Sequence, residues 1–255
     1  MSTTEAAAGR LDRGDGTQLA WIRAAGRPPT VVFLPGYRSD MAGEKATMLA
    51  AFCAARGQAM LRFDYSGHGA SDGAFEDGTI GAWAADALAA IDALSEGKLV
   101  LVGSSMGGWI ALLTAIARPA RIAGLVGIAA APDFTETLMW ESMMPAERAR
   151  LSEDGFIEAP SQYGQPLRIT RALIQDGRRH LLLGGPIALH IPVRLLQGRR
   201  DDDVPWETAL ALADRIEGDD VQVTLIKDGD HRLSRPEDLA LLGRTVFALL
   251  GEDRA

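Results

Sequence analysis

The sequence predicts an α/β fold: a mostly parallel, doubly wound sheet of about eight strands, with a helical cap inserted after the sixth strand. Three observations carry that prediction. Short strand-like runs alternate with helix-length segments along most of the chain. The run Leu99-Val100-Leu101-Val102 is apolar at every position, as a strand covered on both faces must be. The alternation breaks once, from residue 133 to residue 190, where the composition shifts toward methionine, proline and charge. At 255 residues the chain can fill one large core, and residues 10–255 are expected to form a single domain.

Strands are expected at residues 18–23, 30–34, 59–63, 98–102, 124–130, 193–197 and 221–226. Helical patterns fall between them at 43–56, 79–94, 105–117, 206–216 and 236–250. Strands separated by helices of this length join through right-handed crossovers, which makes the sheet mostly parallel. The 133–190 segment is too long for a plain connection and shows no convincing strand, so it reads as the helical cap. Its opening places Leu138, Met139, Met143 and Met144 near helical spacing. Such a face can pack onto the main domain, or it can line an acyl-chain site, since methionine conforms to irregular apolar ligands. Trp140, Met139 and Met143 are the residues expected to meet substrate.

A net charge of −8 and a pI near 5.1 argue against nucleic acid or an anionic membrane as partner. No apolar run is long enough to span a bilayer. Residues 1–10 carry neither a basic leader followed by an apolar stretch nor an arginine-rich, acid-poor pattern, so a cytoplasmic location is expected. The single cysteine, Cys53, cannot form an internal disulfide and sits in an apolar helical context, which suits a buried small side chain.

Chemistry concentrates where strands end. The 98–102 strand feeds Gly103-Ser104-Ser105-Met106-Gly107, a Gly-x-Ser-x-Gly turn followed at once by a helix. Such a turn holds a serine hydroxyl proud of the sheet, and its glycines keep the crowded backbone free of side-chain collisions. A serine nucleophile needs a base, and the base needs an orienting carboxylate. Of the four histidines, only His231 follows a strand that could deliver it to the sheet edge. His68 sits in a glycine-rich loop that suits packing, while His180 and His190 fall in the cap. The carboxylate should follow the 193–197 strand, where Asp201, Asp202 and Asp203 stand in a row. Chemistry alone leaves that choice open, because Asp203 could instead cap the helix that starts near Pro205. Two backbone N–H donors are expected for the oxyanion, from Met106 at the helix start and from Tyr37 in the loop after the 30–34 strand. Arg38, beside Tyr37, could hold a substrate carboxylate or a cap acid, or be an exposed structural charge.

Taken together, Phe33-Leu34-Pro35-Gly36-Tyr37, Arg62 to Gly67, Gly103 to Trp109, Gly198 to Trp206 and Asp230-His231-Arg232 resemble the α/β-hydrolase superfamily. Over most of the chain, including Ser161-Gln162-Tyr163 in the cap, the sequence is similar to the subfamily of abhydrolase domain-containing protein ten and its bacterial relatives. That resemblance implies an α/β-hydrolase fold and a serine esterase or thioesterase of the palmitoyl-protein thioesterase and acyl-glucuronide esterase kind. It implies Ser105 as nucleophile, His231 as base and, from the Gly-x-x-Asp-x-x-Val-Pro pattern, Asp201 as acid. Pro35 departs from the superfamily, in which many members carry histidine there, but the oxyanion glycine remains. The mitochondrial presequence of that subfamily is not matched by residues 1–10.

Aspartate-nucleophile hydrolases of this fold are disfavoured by Ser105. An aminopeptidase or a C–C bond hydrolase could use the same residues, the former drawing on Glu136, Glu141 or Glu147 to hold a substrate amine. A non-catalytic binding protein would be expected to carry damaged site residues. No metal or organic cofactor is implied, because no Cys/His cluster or phosphate-binding glycine loop is in place.

Overall fold

The computed structural model describes residues 6–159 and 166–251. The first half of the chain runs β1 (Ala7–Asp12), β2 (Gln18–Ala24), β3 (Arg27–Leu34), α1 (Glu44–Ala55), β4 (Gln58–Phe63), α2 (Ile80–Leu94), β5 (Leu99–Ser104), α3 (Met106–Ala117) and β6 (Ile122–Ile128). The cap elements are α4 (Pro145–Asp154), β7 (Phe156–Ala159), β8 (Leu167–Thr170) and α5 (Arg171–Gly177). The chain then returns through β9 (Val193–Gly198), α6 (Glu207–Arg215), β10 (Val221–Ile226) and α7 (Pro236–Leu249).

Eight strands form one sheet in the order β1-β2-β4-β3-β5-β6-β9-β10. β1 and β2, the first hairpin, pair antiparallel, as do β2 and β4, and every later neighbour is parallel. Alternation splits the apolar strands between two cores. Val32, Leu34, Leu99 and Leu101 face α2, α3 and α6, packing with Trp83, Trp109 and Leu212. Val31, Phe33 and Val102 face α1 and α7, packing with Leu49, Cys53, Val246 and Phe247. This is why β5 reads as an unbroken apolar run: both of its faces are covered. Cys53 is fully buried in the second core.

Residues 133–190 depart from the all-helical expectation. They begin with a short π-helical turn, Thr135–Trp140, and include the antiparallel hairpin β7–β8 beside α4 and α5. The hairpin strands are only four residues each, and Ile157 and Ile169 alone point inward, a pattern too short to register as a strand in sequence. Ser161-Gln162-Tyr163 lie outside the described residues. The cap has its own small core of Met143, Leu151, Ile157, Ile169 and Ile174. It is fastened to the sheet domain by polar bonds. Buried Asp133 accepts the N–H groups of Leu182 and Leu183 at 2.8 Å each, Asp176 accepts from Gly81 N–H at 2.6 Å, and Trp109 Nε1–H donates to the His180 carbonyl at 3.1 Å. Among the described residues, no helix is long and apolar enough to cross a membrane.

Candidate active site

The carboxyl ends of β3, β5, β9 and β10 bring together residues far apart in sequence. β5 ends at Ser104 and α3 begins at Met106, which leaves Ser105 to make the whole turn. Its backbone sits at φ 54°, ψ −120°, a conformation that costs a non-glycine residue about 1–3 kcal/mol. Hydrogen bonds hold it there. Ser105 N–H donates to the Ile128 carbonyl at 2.8 Å, and the Ser105 carbonyl accepts from Gly108 and Ala131 N–H groups at 2.8 and 3.1 Å. The flanking glycines are required by space. A Cβ at Gly103 would sit 2.2 Å from the Gly107 carbonyl oxygen, and one at Gly107 would sit 2.1 Å from that of Leu34.

His231 follows β10 and reaches both neighbours. Its Nε2 lies 3.2 Å from Ser105 Oγ and its Nδ1 lies 2.9 Å from Asp201 Oδ2. An ionised carboxylate only accepts, so Nδ1 carries the proton and Nε2 turns a lone pair toward the serine. Asp201, in the loop after β9, has a fully buried side chain, and both its oxygens are engaged. Oδ1 accepts from Asp203 and Val204 N–H at 2.9 and 2.8 Å, and Oδ2 accepts from Gln197 Nε2 at 2.8 Å as well as from His231. Burial pushes this carboxyl up, but the His231 contact and the two backbone donors outweigh it and hold it below the usual aspartate range. The loops after β9 and β10 are tied by Arg200 N–H to the Gly229 carbonyl at 2.8 Å.

The other histidines lie elsewhere, and Asp203 stands at the edge of the site. Asp203 is exposed and touches Asp201 only through its main-chain N–H. His68 is buried among Tyr65, Phe75 and Trp83, with Nδ1–H donating to the Ser66 carbonyl. His180 faces Asp176 at 3.7 Å and His190 faces Glu217 at 3.6 Å. Asp201, Asp203 and His231 do bring ligand atoms within 4.8 Å of one another. A cation there would have to displace the donors that already fill Asp201.

The β3 loop closes over the serine from the other side. A Cβ at Gly36 would lie 3.2 Å from the Ser104 carbonyl oxygen and 3.3 Å from Ser105 Cβ, so the backbone passes against the Ser105 turn. Tyr37 follows, with its ring edge-on to Phe75, Trp83 and Phe134. Met106 is the first residue of α3, so its N–H has no carbonyl within the helix to meet. A cavity of about 440 Å³ opens beside Ser105 and His231, with Tyr37, Arg38, Lys45, Arg232 and Ser234 in its walls.

The three cap residues expected to meet substrate are not in that wall. Met143 is buried in the cap core, Met139 bridges the cap core and the main core, and Trp140 lies between the guanidinium groups of Arg148 and Arg178 at 5.0 and 4.5 Å. Their helical spacing is satisfied by packing and by the two arginines. Of the cap carboxylates, Glu136 pairs with Arg178 at 2.6 Å and Glu147 accepts from Met144 N–H at 2.7 Å. Sequence reasoning missed Gln197 and Lys45. Gln197 left one signal, an amide directly after the apolar pair Leu195-Leu196 at the strand end; Lys45, in an ordinary helix start, left none.

Comparison with known proteins gives a consistent picture. The model of the alpha/beta hydrolase family matches residues 31–240. The bovine protein named palmitoyl-protein thioesterase ABHD10, mitochondrial, is 43% identical over 243 residues, spanning 94% of this chain and 79% of its own length. A crystal structure from Agrobacterium vitis S4 superposes with a TM-score of 0.91 at 44% identity, covering 96% of this chain and 98% of the other. Mouse alpha/beta hydrolase domain-containing protein 10 superposes with a TM-score of 0.90 at 40% identity, covering 96% and 99%. One expectation is corrected here. Curated relatives at 40–43% identity are named as mitochondrial, so the cytoplasmic location read from residues 1–10 does not stand. A short stretch of residues was a weak guide to a compartment.

Proposed function

The chain belongs to the alpha/beta hydrolase family, and on that premise we propose that it hydrolyses carboxylic ester or thioester bonds of acyl substrates through an acyl-enzyme on Ser105. The observation that carries this reading is the line Ser105 Oγ–His231–Asp201, with contacts of 3.2 and 2.9 Å and the side chain of the acid fully buried. Ser105 Oγ attacks the acyl carbonyl carbon while His231 Nε2 takes its proton. Asp201 holds the imidazole in the tautomer that leaves Nε2 free and stabilises the imidazolium that forms. The N–H groups of Met106 and Tyr37 receive the developing oxyanion, each donor contributing about 3 kcal/mol to transition-state stabilisation. As the tetrahedral intermediate collapses, the leaving thiol or alcohol departs with the proton from His231. Water, deprotonated by the same nitrogen, then releases the acid and restores Ser105.

Residues 10–255 are taken as one domain with 133–190 as its cap. The substrate class is an acyl thioester or ester, small or protein-linked, in keeping with the relatives named as palmitoyl-protein thioesterases. The Glu136 and Glu147 contacts occupy two of the three cap carboxylates that the aminopeptidase alternative would draw on, which leaves it Glu141. Ser105→Ala should reduce hydrolysis of short p-nitrophenyl esters and S-acyl thioesters to background. Turnover retained by that variant would remove Ser105 from the mechanism.

A further inference from the structure

The cavity beside Ser105 is walled by charge rather than by apolar cap residues. Arg38, Lys45 and Arg232 all line it; among the described residues none of them forms a close ion pair, although Glu44, Asp230 and Asp238 lie near enough to act on the Lys45 charge. Lys45 Nζ donates to the Arg232 carbonyl and, at 3.4 Å, to Ser234 Oγ, both neutral acceptors. The Arg38 guanidinium lies 5.8 Å from the Phe75 ring centroid. Two acids share the wall. Asp40 accepts from Ala42 N–H at 2.8 Å, and Glu44 is exposed at the start of α1. A smaller cavity of about 230 Å³ shares Arg38, Ser39 and Asp40 with the first and has Glu76 in its wall.

An acyl chain gains little from the charged part of this wall, because cations hold their water; the apolar part is limited to Phe33, Tyr37 and Ala46. The leaving group is the half of the substrate that fits. We propose that Arg38, Lys45 and Arg232 form a subsite for a phosphate on the leaving group, so that the preferred substrates are acyl thioesters of a phosphorylated thiol. A carboxylate is matched by one guanidinium fork, whereas a phosphate dianion offers three oxygens and takes donors from several cations at once. Burial and the Arg232 charge push the Lys45 ammonium below its usual range against the pull of Glu44, Asp230 and Asp238, and an anion in the cavity would add to that pull. The inference rests on Ser105 as the nucleophile.

The test uses one acyl group on three thiols: S-acyl-4′-phosphopantetheine, S-acyl-pantetheine and S-acyl-3-mercaptopropionate. Wild-type protein should favour the phosphorylated thioester over its unphosphorylated twin by roughly tenfold in kcat/KM, carried by KM, the size of one charge-assisted hydrogen bond. In Lys45→Met combined with Arg38→Gly, the ratio should fall most of the way to one, with Arg232 alone left to meet the phosphate; glycine accepts the φ of 58° at position 38 without strain. Equal kcat/KM for the phosphorylated and unphosphorylated thioesters in wild type would overturn the subsite. So would a variant in which both rates fall together and the ratio persists, as a structural role for Lys45 would give. Equal use of the carboxylate thioester would overturn the assignment to phosphate. Failure of the Ser105 reading looks different: Ser105→Ala would then hydrolyse all three.

Discussion

At Asp201 two opposing effects meet, and their balance sets both chemistry and stability. Burial disfavours the carboxylate, while His231, Gln197 and the N–H groups of Asp203 and Val204 favour it, and the second set prevails. A carboxyl held below its ordinary pKa contributes stability that is fully present above that ordinary value and is lost as pH falls through the folded-state value. Urea unfolding of Asp201→Asn should therefore show a destabilisation at neutral pH that shrinks as the solution is acidified below the ordinary aspartate range. In activity, Asp201→Asn should lower kcat by about 10⁴, the scale associated with the wrong imidazole tautomer. Asp203→Asn should remain within a few-fold of wild type, because its exposed carboxylate, though near His231, makes no hydrogen bond to it and its bond to Asp201 runs through the main-chain N–H. The reverse ranking in a p-nitrophenyl ester assay would move the acid to Asp203. Which of three adjacent aspartates turns inward was not legible from their chemistry. It depends on how the chain turns after β9, and the resemblance to a known motif supplied what residue types could not.

Between β5 and α3, a single residue turns the chain, and its neighbours must be small. The added methyl group of Gly107→Ala would meet the Leu34 carbonyl oxygen at 2.1 Å, main chain that has no easy route away. That variant should lose about 2–3 kcal/mol of unfolding free energy and with it ester hydrolysis, both read from one denaturant series. A wild-type midpoint would show that the turn tolerates more than its geometry allows. This element was readable in advance because strand, glycines and helix all point to one backbone shape. The strand ends that carry Asp201 and His231 were readable for the same reason: alternation of strand and helix fixes which loops share an edge. The first strand, Ala7–Asp12, was not, since its exposed edge position imposes no apolar pattern. Nor was the β7–β8 hairpin, whose inward positions are too few to set a period.

Across the molecule, Ser105 and His231 meet over 126 residues of sequence, brought together only by the parallel order of β5, β6, β9 and β10. The site is thus a property of the assembled sheet, while the cap folds around a small core of its own. Loss of ester hydrolysis in urea should coincide with loss of far-UV circular dichroism, as expected of one cooperative unit. Activity that disappears well before the dichroism would mean that the loops after β9 and β10 open independently. Charge is also partitioned at this scale: the chain is acidic, at −8, yet the cavity beside Ser105 carries Arg38, Lys45 and Arg232 in its wall as well as Asp40 and Glu44. The central claim, that Ser105 is the nucleophile activated by His231, is tested most directly by reaction with a fluorophosphonate followed by intact-mass and peptide analysis. The account predicts one adduct per chain, on Ser105, absent from Ser105→Ala and strongly slowed in an Asp201→Asn variant. A folded, hydrolytically active protein that stays unlabelled, or one labelled at another residue, would contradict it.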